Sequence, residues 1–337
     1  MGSRTIGRVN NAGPRRATDM TTRVADPETS SSYKFSGHET FALRYAWLPK
    51  AYRLLKHDPC GFSDEDAAMV ELGLGKNMVR SLRFWIEAVG VVRPGAGRAL
   101  DITEFGRAVF GKNGVDPYLE DPRTLWLLHW NLSSRRQGAP FAWQFLLNQW
   151  SYPEFTRSEV LNAFAVESQR LGYEHSSVTL GQHLDVFLHT YCGARHSSVG
   201  IEDSLDGPLV DLQLVSTLGE RKAKDGRWET VYSFRREPKP QITGRLFAFC
   251  LADYWDRFRP SDETLGFREI AIGPTSPGQI FKLPEDDVRA RLEFYSSAKG
   301  HAQFRYQSSA VQGLLTRTKR SSRLTLADVY EERLAHV

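Results

Sequence analysis

Residues 63–110 read SDEDAAMVELGLGKNMVRSLRFWIEAVGVVRPGAGRALDITEFGRAVF, a pattern of helix, tight turn, second helix and short basic hairpin. Ser63 is placed to cap the first helix, with Asp66 as the acidic half of a capping box and Asp64 and Glu65 favouring the positive end of the helix dipole. Gly73 and Gly75 flank Leu74 and supply the turn between the helices. In the second helix Met78, Leu82, Trp85, Ile86 and Val89 recur at helical spacing, which predicts one inward apolar stripe. Gly90 stands where a C-cap belongs. Val91 and Val92 then open a strand, Pro94 to Gly97 turn it between Arg93 and Arg98, residues 99–102 return, and Thr103 caps a further helix. This is the plan of a winged helix-turn-helix.

The outer face of the second helix carries Lys76, Asn77, Arg80, Ser81 and Arg83, and the hairpin adds Arg93 and Arg98. The major groove of B-DNA admits one helix, its base edges are read by Arg, Lys, Asn and Ser, and a basic hairpin can clamp neighbouring phosphates. These seven residues are therefore the predicted contacts to double-stranded DNA. Two plainer readings stand beside that one: winged helices also dock proteins, and a charged helix face is usually a solvated one.

Composition bounds the remaining classes. The chain has 337 residues, 41% of them hydrophobic and 12% aromatic, enough for two or three modest cores. A net charge of +4 sets 44 basic against 40 acidic residues, so any nucleic-acid binding must come from local patches. Cys60, Cys192 and Cys250 are odd in number and widely spaced, which fits a reducing compartment, and the cytoplasm is the expected location. The most apolar run, Leu246 to Trp255, is too short to span a bilayer, so no membrane association is expected. No organic cofactor is expected either.

The predicted fold class is mainly α with small β elements. Residues 1–32, rich in Arg, Gly, Ser and Thr and poor in large apolar side chains, read as a disordered basic arm. Residues 33–112 form the winged helix-turn-helix domain, led in by a helix from about Thr40. Residues 113–200 read as a helical domain packed with Trp, Phe and Leu. Residues 201–240 read as a long β-hairpin, built from the runs Leu209 to Val215 and Trp228 to Phe234 with a charged tip. Residues 241–337 repeat the first plan as a winged-helix-like unit. Its helix from Glu285 opens with three acids, which suits a structural or partner surface better than phosphate contact. A basic run follows at residues 317–323.

Two clusters could carry chemistry. His38 and Glu39, with Arg44 nearby, bring a base, an acid and a cation together beside a predicted helix start, where an acid is also ordinary dipole chemistry. Asp211 with Glu220 and Lys222 imitates the acid and acid-x-Lys arrangement by which nucleases hold Mg²⁺ or Mn²⁺ and orient a water, although a solvated hairpin tip would look the same. His129, His183, His189 and His196 do not repeat at i, i+4, and their pattern predicts no metal site.

The stretches FSGHETFALRYAWLPKAY (35–52), LGLGKNMVRSLRFW (72–85), EDSLDGPLVDLQLV (202–215) and SPGQIFKLPEDDV (276–288) together resemble the SspB family of bacterial single-stranded DNA phosphorothioation systems. The resemblance spans about residues 33–315. It implies a protein that nicks one DNA strand so that a cysteine desulfurase, an ATPase and a sulfurtransferase-like protein can install sulfur in antiphage modification. It carries no catalytic motif onto particular residues here. A non-catalytic DNA-binding adaptor or transcriptional regulator is the alternative, and a homo-oligomer is compatible with either.

Overall fold

The computed structural model describes residues 33–192, 207–223, 225–297, 303–309, 313–318 and 324–331. The arm expected over residues 1–32 and the basic run from 319 to 323 lie outside them. The described chain is mainly helical, with four small sheets.

It opens with a short strand, β1 (Tyr33–Lys34), and the first helix, α1 (Trp47–His57), begins later than the expected Thr40. Glu39 and Thr40 have φ of 47° and 65°, which a continuing right-handed helix excludes. Residues 38–46 fold instead as turns, closed by Phe41 N donating to His38 O at 2.8 Å and pinned by Trp85 Nε1 donating to Phe41 O at 2.9 Å. Pro49 then falls in the first turn of α1, where a missing N–H costs nothing.

Helix α2 (Glu65–Leu72) is capped by Asp64, whose carboxylate accepts from the Asp66 and Ala67 amides, so the cap lies one residue beyond the expected Ser63. Gly73 ends α2 in the left-handed region at φ 63°, a conformation cheap for glycine, and α3 (Lys76–Ala88) starts after Gly75. The inner face of α3 buries Val79, Leu82, Trp85 and Ile86, with Met78 partly covered. Gly90, at φ 77°, follows the C-cap Val89 and leads into the antiparallel hairpin of β2 (Val92–Pro94) and β3 (Leu100–Ile102), which pairs Arg93 with Asp101. Thr103 caps α4 (Glu104–Phe110).

The middle of the chain supplies α5 (Pro122–Ser133), β4 (Ala139–Pro140) and α6 (Phe141–Gln144), which runs into a wider π turn at Phe145–Gln149. β4 pairs in parallel with β1 and so fixes the start of the described chain. Next come β5 (Glu154–Thr156), α7 (Arg157–Arg170) with a complete capping box at Thr156 and Glu159, and α8 (Ser177–Cys192).

The expected strand at 209–215 is instead a tight helical turn, Pro208–Leu212, followed by Gln213 at φ 48°. Pro208 presets the helical φ at its first position, and Leu209 and Leu212, three residues apart, both turn into the core. The alternation that resembled a strand was produced by core leucines on a turn. The long hairpin is present as β6 (Val215–Lys222) and β7 (Trp228–Phe234), with β7 also pairing to β5.

The last part comprises α9 (Gly244–Phe258), β8 (Thr264–Gly266), α10 (Phe267–Ile272), α11 (Pro277–Ile280), α12 (Glu285–Ser297), β9 (Phe304–Gln307), β10 (Leu314–Arg317) and α13 (Leu326–Glu331). Helix α10 begins only at Phe267, because Thr264–Gly266 is an edge strand on β10.

One core runs through these parts. Trp85, Trp126, Trp130, Trp143 and Trp255 are all fully buried. Trp85 meets Trp143 edge to face at 5.7 Å. Trp143 Nε1 donates to the Tyr191 hydroxyl at 3.0 Å, which lies 2.7 Å from His129 Nδ1, while His129 Nε2 donates to Ile280 O at 3.1 Å. Every polar atom in that chain is satisfied, so it ties α3, α5, α6, α8 and α11 together without the cost of an orphaned donor.

Candidate nucleic-acid interface

Lys76, Asn77, Arg80 and Arg83 are exposed on the outer face of α3. Glu65 of α2 reaches across the turn to two of them: it takes a bidentate pair from Arg80 at 2.7 and 3.0 Å and lies 3.3 Å from the Lys76 ammonium. The hydrogen bonds from Arg80, then Lys76, hold the Glu65 carboxyl below its usual range. Two of the three cations on the stripe are thus partly neutralised within the protein. Arg83 makes no ion pair among the described residues.

Arg93 and Arg98 are exposed on the hairpin, where Asp101 sits opposite Arg93 in register. Ser63 Oγ donates to Arg98 O at 3.4 Å, tying the loop to the start of α2. Ser81 corrects the sequence reading: it is fully buried and its Oγ has no hydrogen-bond partner, so in this structure its hydroxyl cannot reach a base edge. It lies next to Leu82 on the inward side of α3, a position that sequence spacing alone assigned to the wrong face.

Beside α3 lies a cleft of about 570 Å³. It is lined by Arg80, Arg83, Phe84 and Glu87 of α3, by Lys34, Phe35 and Glu39 from the start of the described chain, and by Tyr173 and His175. Glu87 accepts from Lys34 at 3.0 Å and lies 3.7 Å from Arg135. Tyr173 and His175 are stacked at 5.5 Å and 19°, and Phe35 packs on His175 at 4.0 Å.

His38 does not face this cleft as a free base. It is 4% exposed, stacks on His183 at 5.0 Å, and its Nε2 lies 2.8 Å from His183 Nδ1. Each neutral ring carries one N–H, so with Ala142 N donating to His183 Nε2 at 2.9 Å, His183 Nδ1–H donates to His38 Nε2, and both nitrogens open to a further proton already accept a hydrogen bond. An added proton would therefore sit against a donor. Burial pushes His38 down to about 4 and His183 well below its usual range. The pair is neutral at pH 7, and its partner 145 residues away left no signal in the sequence.

Glu39 remains half-buried at the cleft wall with no ion pair among the described residues. Asp211 lies on the 208–212 turn rather than a strand and accepts a short hydrogen bond from the Tyr45 hydroxyl. Burial and that carboxylate raise Tyr45 above the ordinary phenol range. Glu220 and Lys222 lie exposed on β6, roughly 16 and 23 Å along the strand from Val215 at ~3.3 Å per residue. Asp211 bonds to Tyr45, and among the described residues no hydrogen bond or ion pair joins it to Glu220 or Lys222. Among the described residues no group of three or more His, Cys, Asp or Glu side chains is placed to hold a metal ion. No helix there is long and apolar enough to cross a membrane.

Residues 35–330 match the family described as protein of unknown function (DUF4007), and the chain belongs to that family. It is also similar to solved structures of SspB. A magnesium ion-bound SspB crystal structure matches with a TM-score of 0.74 and 28% identity, covering 86% of this chain and 85% of that one. A second SspB crystal structure gives 0.71 and 26%, again covering 86% and 85%. No curated protein matches the chain.

Proposed function

We propose that this member of the DUF4007 family binds double-stranded DNA as the SspB-like component of a phosphorothioation system in the cytoplasm, nicking one strand so that partner proteins can install sulfur. In this reading α2, α3 and the β2–β3 hairpin act as a winged helix-turn-helix over residues 33–112. α3 enters the major groove with Asn77 and Arg80 at its leading end, and Arg93 and Arg98 clamp the flanking phosphates. The observation that carries it is the exposed cationic stripe of Lys76, Arg80 and Arg83, held rigidly by the buried opposite face of the same helix.

The C-terminal part, 241–337, is the second winged-helix-like unit of this scheme. The first turn of α12 carries Glu285, Asp286 and Asp287, which repel phosphate and suit a protein partner. The cysteine desulfurase, ATPase and sulfurtransferase-like proteins of the system are the candidates for it. Residues 113–200 and 201–240 serve as the helical and hairpin supports between the two units.

Mg²⁺ is suggested by the magnesium ion-bound SspB relative. The described residues offer it no three-ligand cluster. The dispersal of Asp211, Glu220 and Lys222, and the burial of His38, favour a second reading in which the protein is a DNA-binding adaptor without its own chemistry.

Supercoiled plasmid incubated with the purified full chain and Mg²⁺ or Mn²⁺ separates the two. Open circles support nicking, and supercoils persisting with each metal support the adaptor. Fluorescence anisotropy with the combined Lys76→Ala, Arg80→Ala and Arg98→Ala variant tests the groove. A folded variant with unchanged affinity and salt dependence would remove α3 from the interface.

A further inference from the structure

We propose that the cleft beside α3 receives a single nucleobase unstacked from the bound DNA. This rests on the DNA-binding reading above and goes beyond it by assigning a second, separate site. Arg80 and Arg83 line the cleft, so it adjoins the face of α3 that carries the cations. Its volume of about 570 Å³ lies within the range of small-molecule pockets. Part of its lining is aromatic. Tyr173 and His175 are both only half-buried, and they present near-parallel rings on which a base can stack whatever its sequence. His175 Nε2 is shielded from solvent and has no hydrogen-bond partner, so the protein leaves its polar capacity unused.

Charge at the mouth matches a nucleotide rather than an apolar ligand. Glu65 is occupied by Arg80 and Lys76, and Glu87 by Lys34 and Arg135. One guanidinium, Arg83, and one carboxylate, Glu39, are left without ion pairs among the described residues. The guanidinium suits the phosphate of an extruded nucleotide. The carboxylate can accept from an exocyclic amino group, present on adenine, cytosine and guanine and missing from thymine.

The test uses the full chain and three 24-base-pair duplexes: one fully paired with 2-aminopurine, one with that 2-aminopurine opposite an abasic position, and one with thymine opposite the abasic position. An unpaired base has already lost its pairing, so it enters the cleft at lower cost. The unpaired 2-aminopurine duplex should bind roughly tenfold tighter than the paired one, the scale of one stacked base. Its fluorescence should change on binding. The unpaired thymine should bind less tightly than the unpaired 2-aminopurine, and Glu39→Ala, which removes the acceptor, should narrow that difference. Tyr173→Ala should abolish the preference for an unpaired base while leaving paired-duplex affinity unchanged. Tyr173→Phe, which keeps the ring and the packing on Phe35, should retain the preference.

Equal binding of paired and unpaired duplexes overturns the cleft and leaves the groove reading intact. A preference that survives Tyr173→Ala in a folded protein also overturns it. Binding of the unpaired duplex alone supports the cleft and overturns the groove reading, and binding of neither overturns both.

Discussion

Acid titration should unfold this protein through its buried histidines. Burial lowers both His38 and His129 to about 4 and His183 well below its ordinary value of 6.5. Each of these groups has a folded pKa below its unfolded one, so the unfolded chain binds more protons between about pH 6.5 and 4. Stability is therefore fully present above pH 6.5 and is lost as pH falls toward 4. A shift from 6.5 to about 4 corresponds to roughly 3 kcal/mol for His38, which is 4% exposed, and a similar amount for His129. With three such groups the slope below pH 6 approaches about 4 kcal/mol per pH unit, at ~1.36 kcal/mol per proton. Urea unfolding at half-unit intervals from pH 7.5 to 5 measures it. His129→Gln should lower the stability at pH 7 and cut the slope by about a third, because one linked proton is gone. A wild-type stability flat from pH 7 to 5, or a slope the same in His38→Gln, His129→Gln and His183→Gln, would refute the argument.

Glu65→Gln should tighten duplex binding by several-fold at low salt, since it releases Arg80 and Lys76 from their shared carboxylate; anisotropy across a salt series reads this directly. Arg98→Ala should weaken all sequences alike and reduce the salt slope by about one unit, the signature of a lost phosphate contact. Trp85→Ala should destabilise the fold by about 3–5 kcal/mol in denaturant melts, because it empties a fully buried site. Burial lowers Lys239 to about 8 and Lys282 well below 10.5. Stability should consequently rise as pH climbs from about 8 to 9, below the range where the raised Cys192, Cys250 and buried tyrosines oppose it, and a fall over that window in urea melts would contradict it.

What the sequence disclosed was whatever a local period can encode. The apolar stripe of α3, the glycines at 73 and 90 and the capping residue Thr103 each act within a few residues of themselves, and each lies where spacing put it. The errors came where a distant contact outweighed the local pattern. The helix expected from Thr40 is displaced because Trp85, in α3, holds Phe41 O in a turn. The run from Leu209 alternates like a strand, yet Pro208 and the core on α5 and α8 make it a turn. Ser81 lay on the face drawn as exposed because a wheel of 3.6 residues leaves flanking positions ambiguous, and only the packing assigns them. The histidine pair joins the turn after β1 to α8, and the cleft joins β1, α3 and the α7–α8 connection. No spacing in a single chain reports that meeting.

The same long-range contacts bear on how DNA would be held. The outer face of α3 would cost little ordering on binding DNA, because Val79, Leu82, Trp85 and Ile86 on its other side are already locked in the core. The Trp85–Trp143 contact and the Trp143–Tyr191–His129 chain fix that core to helices far along the sequence. Only the long side chains of Lys76, Arg80 and Arg83 and the loop around Arg98 lose freedom. The part of the cleft lined by β1 is fixed by other means: β1 pairs with β4, and Lys34 bonds to Glu87. Helix and cleft therefore hold a constant relation to each other, set by backbone pairing and buried aromatic rings. If α3 reads a groove and the cleft takes a base, the two can act on one stretch of duplex together only if the DNA itself distorts, because the protein has little freedom to do so.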